Sequence, residues 1–201
     1  LFDVDGTLIA SQAHILAAMR HAFDHVGLAP PERAQVLSIV GLSLPVAMAR
    51  LSPGSDAETV ARLVDGYRGS FASLRGQAQV AAPLYPFAAE VLTELGARDE
   101  VLLGLATGKS RRGVRHMLDA HALHGRFVTV QTADDHPSKP HPSMVEAALG
   151  EAGVETAQTV MIGDTTFDVE MACAAGVTAI GLTWGYPPVG ALRAAGASAV
   201  L

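Results

Sequence analysis

Two aspartates near the start of the chain are the first candidates for chemistry. Residues 3–8 read Asp-Val-Asp-Gly-Thr-Leu and come at the end of an apolar, strand-like run. Side chains on a strand alternate between its faces, so Asp3 and Asp5 are expected to project to the same side. Neighbouring carboxylates are costly unless a cation or a shared proton relieves their repulsion. A solvated acidic turn or a calcium loop are the alternatives, but the calcium loop lacks its closing Glu because position 14 is His14.

A second acidic segment follows another apolar run late in the chain. Residues 161–168 read Met-Ile-Gly-Asp-Thr-Thr-Phe-Asp. Asp164 is expected at the strand tip, and Asp168 lies one helical turn further on. Carboxylates in this arrangement suit a hard cation such as Mg²⁺, which takes oxygen ligands. The alternative is a simple helix-capping turn with no role in chemistry.

Two further segments could bind an anion. Residues 106–110 read Ala-Thr-Gly-Lys-Ser, so Thr107 and Gly108 precede a predicted helix whose N-terminus favours phosphate. Lys139 lies in a Pro-Ser-Lys-Pro-His-Pro loop, where prolines on both sides are expected to hold its ammonium in place. Such a lysine could neutralise a carboxylate and a phosphoryl oxygen. Taken singly, a common strand-to-helix turn and a solvated loop lysine are the alternatives.

Strands and helices alternate along most of the chain, and this order positions the candidate residues. The apolar runs predict parallel strands at 1–4, 101–106, 127–130, 159–162 and 178–182. Apolar positions at helical spacing predict helices between these strands, beginning near residues 87, 110, 142 and 167. Cys173 is expected to be a small core residue of the last of these helices. The pattern indicates an α/β fold with a doubly wound, Rossmann-like parallel sheet, whose ligands gather at the carboxyl ends of the strands.

Residues 13–81 do not follow this alternation of strands and helices. Three helical patterns follow one another there, at about 15–26, 42–51 and 58–74, without a convincing strand. We therefore predict an α/β core domain made of residues 1–12 and 82–201, with an inserted all-helical cap domain at 13–81.

Composition excludes several classes of function. The chain has 201 residues with a formal net charge of −6, and an acidic chain without basic clusters is a poor nucleic-acid binder. No apolar run is long enough to span a membrane. The single Cys173 fits a reducing compartment, so a cytoplasmic location is expected. The chain opens inside a strand-like run without Met, which suggests that residues precede Leu1.

In chain order the four segments are 3–8, 106–110, the Lys139 loop and 161–168, on successive strand ends. This order resembles the signature of the haloacid-dehalogenase-like superfamily, and the resemblance spans nearly the whole chain. It implies that Asp3 attacks phosphorus and forms an aspartyl-phosphate. Asp5 would protonate the leaving oxygen and then deprotonate water. Thr107 and the N–H of Gly108 would hold the phosphoryl group, while Lys139 would balance charge.

The resemblance also implies a cofactor. Mg²⁺ would be bound by Asp3, the backbone carbonyl of Asp5 and Asp164, with Asp168 acting directly or through water. Asp5 discriminates within the superfamily, because members that cleave carbon–halogen bonds lack this second aspartate. Its presence favours phosphate-ester chemistry.

The segments look most like the phosphoglycolate-phosphatase-like branch. The expected function is hydrolysis of a small phosphorylated metabolite, such as phosphoglycolate, by a monomer or homodimer. Alternatives are a β-phosphoglucomutase-like mutase, an inorganic or nucleotide pyrophosphatase and, more remotely, a non-catalytic protein that binds a phospholigand. The cap is expected to set specificity, with residues 41–45 and Arg50 as candidates.

Overall fold

Helices and parallel strands alternate through the second half of the chain. The computed structural model describes residues 1–78 and 82–201, with side chains for 1–71 and 82–201. The strands are β1 Gly104–Thr107, β2 Thr129–Thr132, β3 Val160–Gly163, β4 Thr178–Gly181 and β5 Ala199–Val200. The α-helices are α1 Gln12–His25, α2 Arg33–Leu37, α3 Leu44–Leu51, α4 Ala57–Ala78, α5 Ala88–Gly96, α6 Arg111–Ala120, α7 Ser143–Ala152, α8 Thr166–Ala174 and α9 Val189–Ala194. A short 3₁₀ helix covers Thr156–Gln158.

The amino-terminal segment joins two groups of parallel strands into one surface. β1 pairs with β2, and β4 lies between β3 and β5. Phe2 forms parallel bridges to both Leu105 of β1 and Ile162 of β3. Its N–H donates to the Gly104 carbonyl at 2.9 Å, and the Asp3 N–H donates to the Ile162 carbonyl at 3.0 Å. The order is therefore β2, β1, the Phe2 segment, β3, β4 and β5, which confirms the predicted parallel sheet.

The two faces of this sheet bury separate apolar clusters. Leu105 and Ile162 pack with Leu92 of α5 and Met117 of α6. Their strand neighbours point the other way and pack with residues of α7, α8 and α9, among them Met144, Met171 and Leu192. The alternation along each strand places helices on both faces, as in a doubly wound Rossmann-like fold.

The inserted helices have an apolar core of their own. Its buried residues run from Ile15 to Val64 and belong to α1, α2, α3, α4 and the turn after α2. The chain enters and leaves this helical cap side by side, because the Ala10 N–H donates to the Pro83 carbonyl and the Tyr85 N–H donates to the Leu8 carbonyl. Domain boundaries at 12/13 and 81/82 stay a prediction, and residues 79–81 lie outside the described residues.

Several predicted elements differ from the structure in detail. The strand expected at 101–106 is regular only from Gly104, and the one expected at 127–130 begins at Thr129. The prediction for Cys173 was wrong, since its thiol is exposed. The sheet-facing positions of α8 are taken by Met171 and Ala172, and Cys173 turns instead toward the end of α9. Among the described residues, no helix combines the length and the apolar character needed to cross a membrane.

Candidate active site

Three buried carboxylates meet at the carboxyl ends of neighbouring strands. Asp3 follows Phe2, Asp164 follows β3, and Asp168 lies in the first turn of α8. Each residue is at most 1% exposed, and ligand atoms of the three lie within 4.8 Å of one another. We refer to Asp3, Asp164 and Asp168 as the carboxylate cluster. The structure thus joins residues that are more than 150 positions apart in sequence, as the two acidic segments predicted.

Lys139 is the buried cation of the cluster. Its Nζ lies 3.0 Å from Asp3 Oδ1 and 2.5 Å from Asp168 Oδ1, and the side chain is fully buried. Burial by itself lowers the pKa of Lys139, but the charges of Asp168 and Asp3 outweigh that effect and raise it. The other Asp168 oxygen, Oδ2, accepts hydrogen bonds from the Thr165 N–H and hydroxyl. Both oxygens of Asp168 therefore have protein partners.

The side chain of Asp164 is confined by residues from two other segments of the chain. The Thr7 hydroxyl donates to its Oδ1 at 2.8 Å. A Cβ on Gly6 would lie 2.4 Å from Asp164 Oδ2, and one on Gly185 would lie 2.2 Å from Asp164 Cβ. Gly6 also has a φ of +93°, which side-chain-bearing residues rarely adopt. Both glycines are needed because the chain passes directly against this carboxylate.

The electrostatics of the cluster suit a bound cation. Burial raises the pKa of Asp3 to about 6, although the charge of Lys139 opposes the shift. Burial, together with the negative charges of Asp168 and Asp3, raises the pKa of Asp164 well above its ordinary value. Among the described residues, Asp3 Oδ2 and Asp164 Oδ2 are buried without a hydrogen-bond partner. Unpartnered carboxylate oxygens facing a shared site are ligands that a divalent cation takes.

A cavity of about 660 Å³ opens between this cluster and the helical cap. Asp3, Asp5, Thr107 and Gly108 line its floor, and cap residues 39–45 line the opposite wall. The cap lies directly on the floor, since a Cβ on Gly108 would lie 2.3 Å from the Gly41 carbonyl oxygen.

The cap meets the core at two other places, one in a loop and one at the start of α8. The Ser43 N–H donates to the Ser138 hydroxyl at 2.8 Å, next to Lys139. Arg50, a candidate for specificity, packs its guanidinium over the Phe167 ring at 5.4 Å and is not among the residues lining the cavity.

Asp5 stands apart from the carboxylate cluster. Lys109 Nζ donates to both of its carboxylate oxygens at 2.7 Å, so the repulsion expected between Asp3 and Asp5 is relieved by a separate cation. The sequence pattern placed Lys109 in the Thr-Gly-Lys turn but gave it no role. Its only signal was its position directly after Gly108, at the end of a predicted strand.

The structure therefore brings together the candidate catalytic, phosphate-binding and metal-binding residues around one cavity floor or directly beneath it, whereas Arg50 lies away from the cavity. Asp3, Asp5, Thr107 and Gly108 line the cavity. Lys139 contacts Asp3 of this group and also binds Asp168, and ligand atoms of Asp164 and Asp168 lie within 4.8 Å of Asp3. Two residues that shape the site, Gly185 and Lys109, were missed by the sequence reasoning.

Comparison with known proteins agrees with this geometry. The haloacid dehalogenase-like hydrolase family matches residues 1–182. The chain is 34% identical over 200 residues to a probable phosphatase, IndB, of Dickeya dadantii, covering 97% of this chain and 85% of the relative. It is 33% identical over 206 residues to a phosphoglycolate phosphatase of Rhodospirillum rubrum, covering 96% and 83%.

Two more similarities extend the comparison. A pyrophosphatase, PpaX, of Bacillus pumilus is 30% identical over 185 residues, covering 92% of this chain and 82% of the relative. A solved hydrolase from Pseudomonas syringae superposes with a TM-score of 0.87 at 27% identity, covering 99% and 90%. The chain belongs to the haloacid dehalogenase-like hydrolase family, and it is a phosphatase of that family.

Gly185 provides a test of the confined carboxylate. We expect Gly185→Ala to displace Asp164 and to lower kcat for p-nitrophenyl phosphate about 100-fold, the cost of misplacing a catalytic group by about 1 Å. Phosphate release measures the effect. Gly190→Ala is the matched control, because a Cβ there meets nothing within 4 Å, and it should keep normal activity. Normal activity in Gly185→Ala would show that the position of Asp164 is not critical.

Proposed function

We propose that the protein is a Mg²⁺-dependent phosphatase that hydrolyses a small phosphomonoester through an aspartyl-phosphate on Asp3. The observation that carries this proposal is the carboxylate cluster beside Lys139. It combines a nucleophile, unpartnered oxygens for a cation and a buried ammonium at one end of a cavity. Phosphoryl transfer needs placement and charge neutralisation above all, and this arrangement supplies both.

Asp3 is the proposed nucleophile. Its carboxylate oxygen forms a bond to phosphorus while the bond from phosphorus to the ester oxygen breaks. Asp5, which lines the same cavity, gives its proton to that departing oxygen. Asp5 then takes a proton from water as the water oxygen attacks phosphorus. This second step releases inorganic phosphate and regenerates the Asp3 carboxylate.

The remaining residues hold the transferring group and balance its charge. The Thr107 hydroxyl and the Gly108 N–H stand at the carboxyl end of β1, on the cavity floor, where they would bind phosphoryl oxygens. Lys139 contacts Asp3 and would offset the negative charge that accumulates on Asp3 and the phosphoryl group.

The cation would be held by Asp3, Asp164 and the backbone carbonyl of Asp5. When bound, Mg²⁺ supplies positive charge to the phosphoryl oxygens and to the nucleophilic carboxylate. Asp168 fits an indirect role better than direct ligation, because one of its oxygens is held by Lys139 and the other by Thr165.

A panel of substrates tests the function and its specificity. We expect phosphate release from at least one of phosphoglycolate, hexose phosphates, nucleotides and pyrophosphate, measured with a colorimetric phosphate assay. Phosphoglycolate is the leading candidate, since relatives at 33% and 30% identity carry that name, and pyrophosphate is the second for the corresponding reason. Binding of these compounds in the presence of Mg²⁺ without any release of phosphate would refute the proposal.

Asp3→Asn tests the nucleophile. The amide cannot form the phosphoenzyme, so we expect turnover to fall below detection. The fold should persist, because the substitution removes a buried negative charge and keeps the shape. Thermal melting and phosphate release measure the two effects. Asp65→Asn, an exposed change on α4, is the control that should leave both unchanged. Near-normal turnover in Asp3→Asn would rule out this nucleophile.

Metal removal tests the cation site. We expect EDTA to abolish turnover and Mg²⁺ to restore it. Mg²⁺ at about 100 times its dissociation constant should also stabilise the wild type by about 2.7 kcal/mol, seen as a higher Tm. Asp164→Asn should show a much smaller rise in Tm because it lacks a ligand, whereas Asp65→Asn should show the full rise. Metal-independent turnover, or equal rises in all three proteins, would contradict the assignment.

A further inference from the structure

Lys109 is held by contacts of both its backbone and its side chain. Its backbone N–H donates to the Thr107 hydroxyl at 3.3 Å, and its backbone carbonyl accepts from the Ala133 N–H at 3.3 Å. Its aliphatic stem lies against Gly113, where a Cβ would come within 2.8 Å of Lys109 Cγ. The ammonium lies 5.3 Å from the centre of the Phe71 ring, on the cap helix α4. A lysine fixed in this way can fix the group that it binds.

The group that Lys109 binds is the carboxylate of Asp5. The Nζ is 2.7 Å from both oxygens, and the two side chains are only 11% and 15% exposed. A pair so shielded from solvent is stronger than the surface ion pairs that contribute little to stability. Both residues of the pair also line the cavity, together with Thr107 and Gly108 of its floor.

We propose that Lys109 is a positioning residue for Asp5. It holds the carboxylate at the cavity in the orientation needed for proton transfer, and Phe71 of the cap covers the ammonium that does so. The inference rests on the proposed function, because it assigns Asp5 the acid–base role. It adds a residue that acts through Asp5. This residue is distinct from Lys139, which contacts the proposed nucleophile Asp3.

Two matched esters separate positioning from substrate binding. Phenyl phosphate and p-nitrophenyl phosphate have similar shapes but different leaving groups. Phenol has a pKa of about 10, so phenolate needs a proton on leaving far more than nitrophenolate does. We expect Lys109→Met to lower kcat/KM for phenyl phosphate at least tenfold, as part of the ~10²- to 10⁴-fold that an acid–base group contributes in total. The loss for p-nitrophenyl phosphate should be less than about threefold, because that step depends little on Asp5.

Companion variants complete the test. Asp5→Asn should show the same dependence on the leaving group, and adding Lys109→Met to it should cause little further loss. Lys109→Arg should recover part of the activity, because a guanidinium can also bind both carboxylate oxygens. Arg115→Met, which removes an exposed cation from α6, should behave like the wild type. Lys109→Gln replaces Lys109→Met if thermal melting shows that the latter is unfolded.

Equal losses of kcat/KM on both esters would show that Lys109 binds the substrate phosphate directly and would overturn the proposal. Unchanged kinetics in folded Lys109→Met would overturn it as well. In either case the wild type remains an active phosphatase, so the proposed function stands. A wild type that hydrolyses neither these esters nor any compound of the substrate panel would instead refute the proposed function, and the role of Lys109 with it.

Discussion

The structure of the site depends on an excess of buried negative charge around one ammonium. Asp3 and Asp168 bind Lys139, Asp164 lies beside them, and none of the four is more than 1% exposed. Two unit charges 4.8 Å apart repel by about 3 kcal/mol at an effective dielectric constant of about 20. Burial and the charges of neighbouring carboxylates raise the pKa values of Asp3 and Asp164, so full ionisation of the cluster requires further positive charge. The proposed cation binding and the proposed phosphate chemistry share this single electrostatic origin.

The fold keeps these carboxylates close together because the surrounding backbone leaves each acidic side chain little conformational freedom. Asp3 and Asp164 stand at the ends of neighbouring strands whose hydrogen bonds fix their separation. Gly6 and Gly185 let the chain close against Asp164, and the capping hydrogen bonds of Thr165 hold Asp168. Since rigid elements position every member, the repulsion cannot be relieved by side-chain rotation alone. It persists until a cation or a proton enters the cluster.

Sequence reasoning could predict what depends on pattern. The parallel sheet followed from apolar runs, and the meeting of Asp3 with Asp164 followed from the rule that parallel strands present their carboxyl ends at one edge. It could not predict the partner of Asp5, because the reach of Lys109 depends on the space left by Gly113. The exposure of Cys173 was mispredicted for a similar reason, since an Ala-rich helix gives little apolar contrast between its faces. Short elements such as α2 and α9 carry too few turns for a periodic signal.

The cap packs closely against the core loops that carry the charged groups of the site. The Gly41 carbonyl lies against Gly108, the Ser43 N–H binds Ser138 beside Lys139, and Phe71 covers Lys109. Each of these cap residues therefore touches a core loop that carries a residue of the candidate site. A substrate that fills the cavity would have to fit between these contacts. The shape of its non-reacting part would therefore be limited by residues that also contact the candidate site. Movement of the cap away from the core would expose Lys109 and the carboxylate of Asp5 to water and weaken their ion pair. Under the proposed function, specificity and catalysis would be coupled through the packing of residues 41–43 and 71 on the ends of the parallel strands.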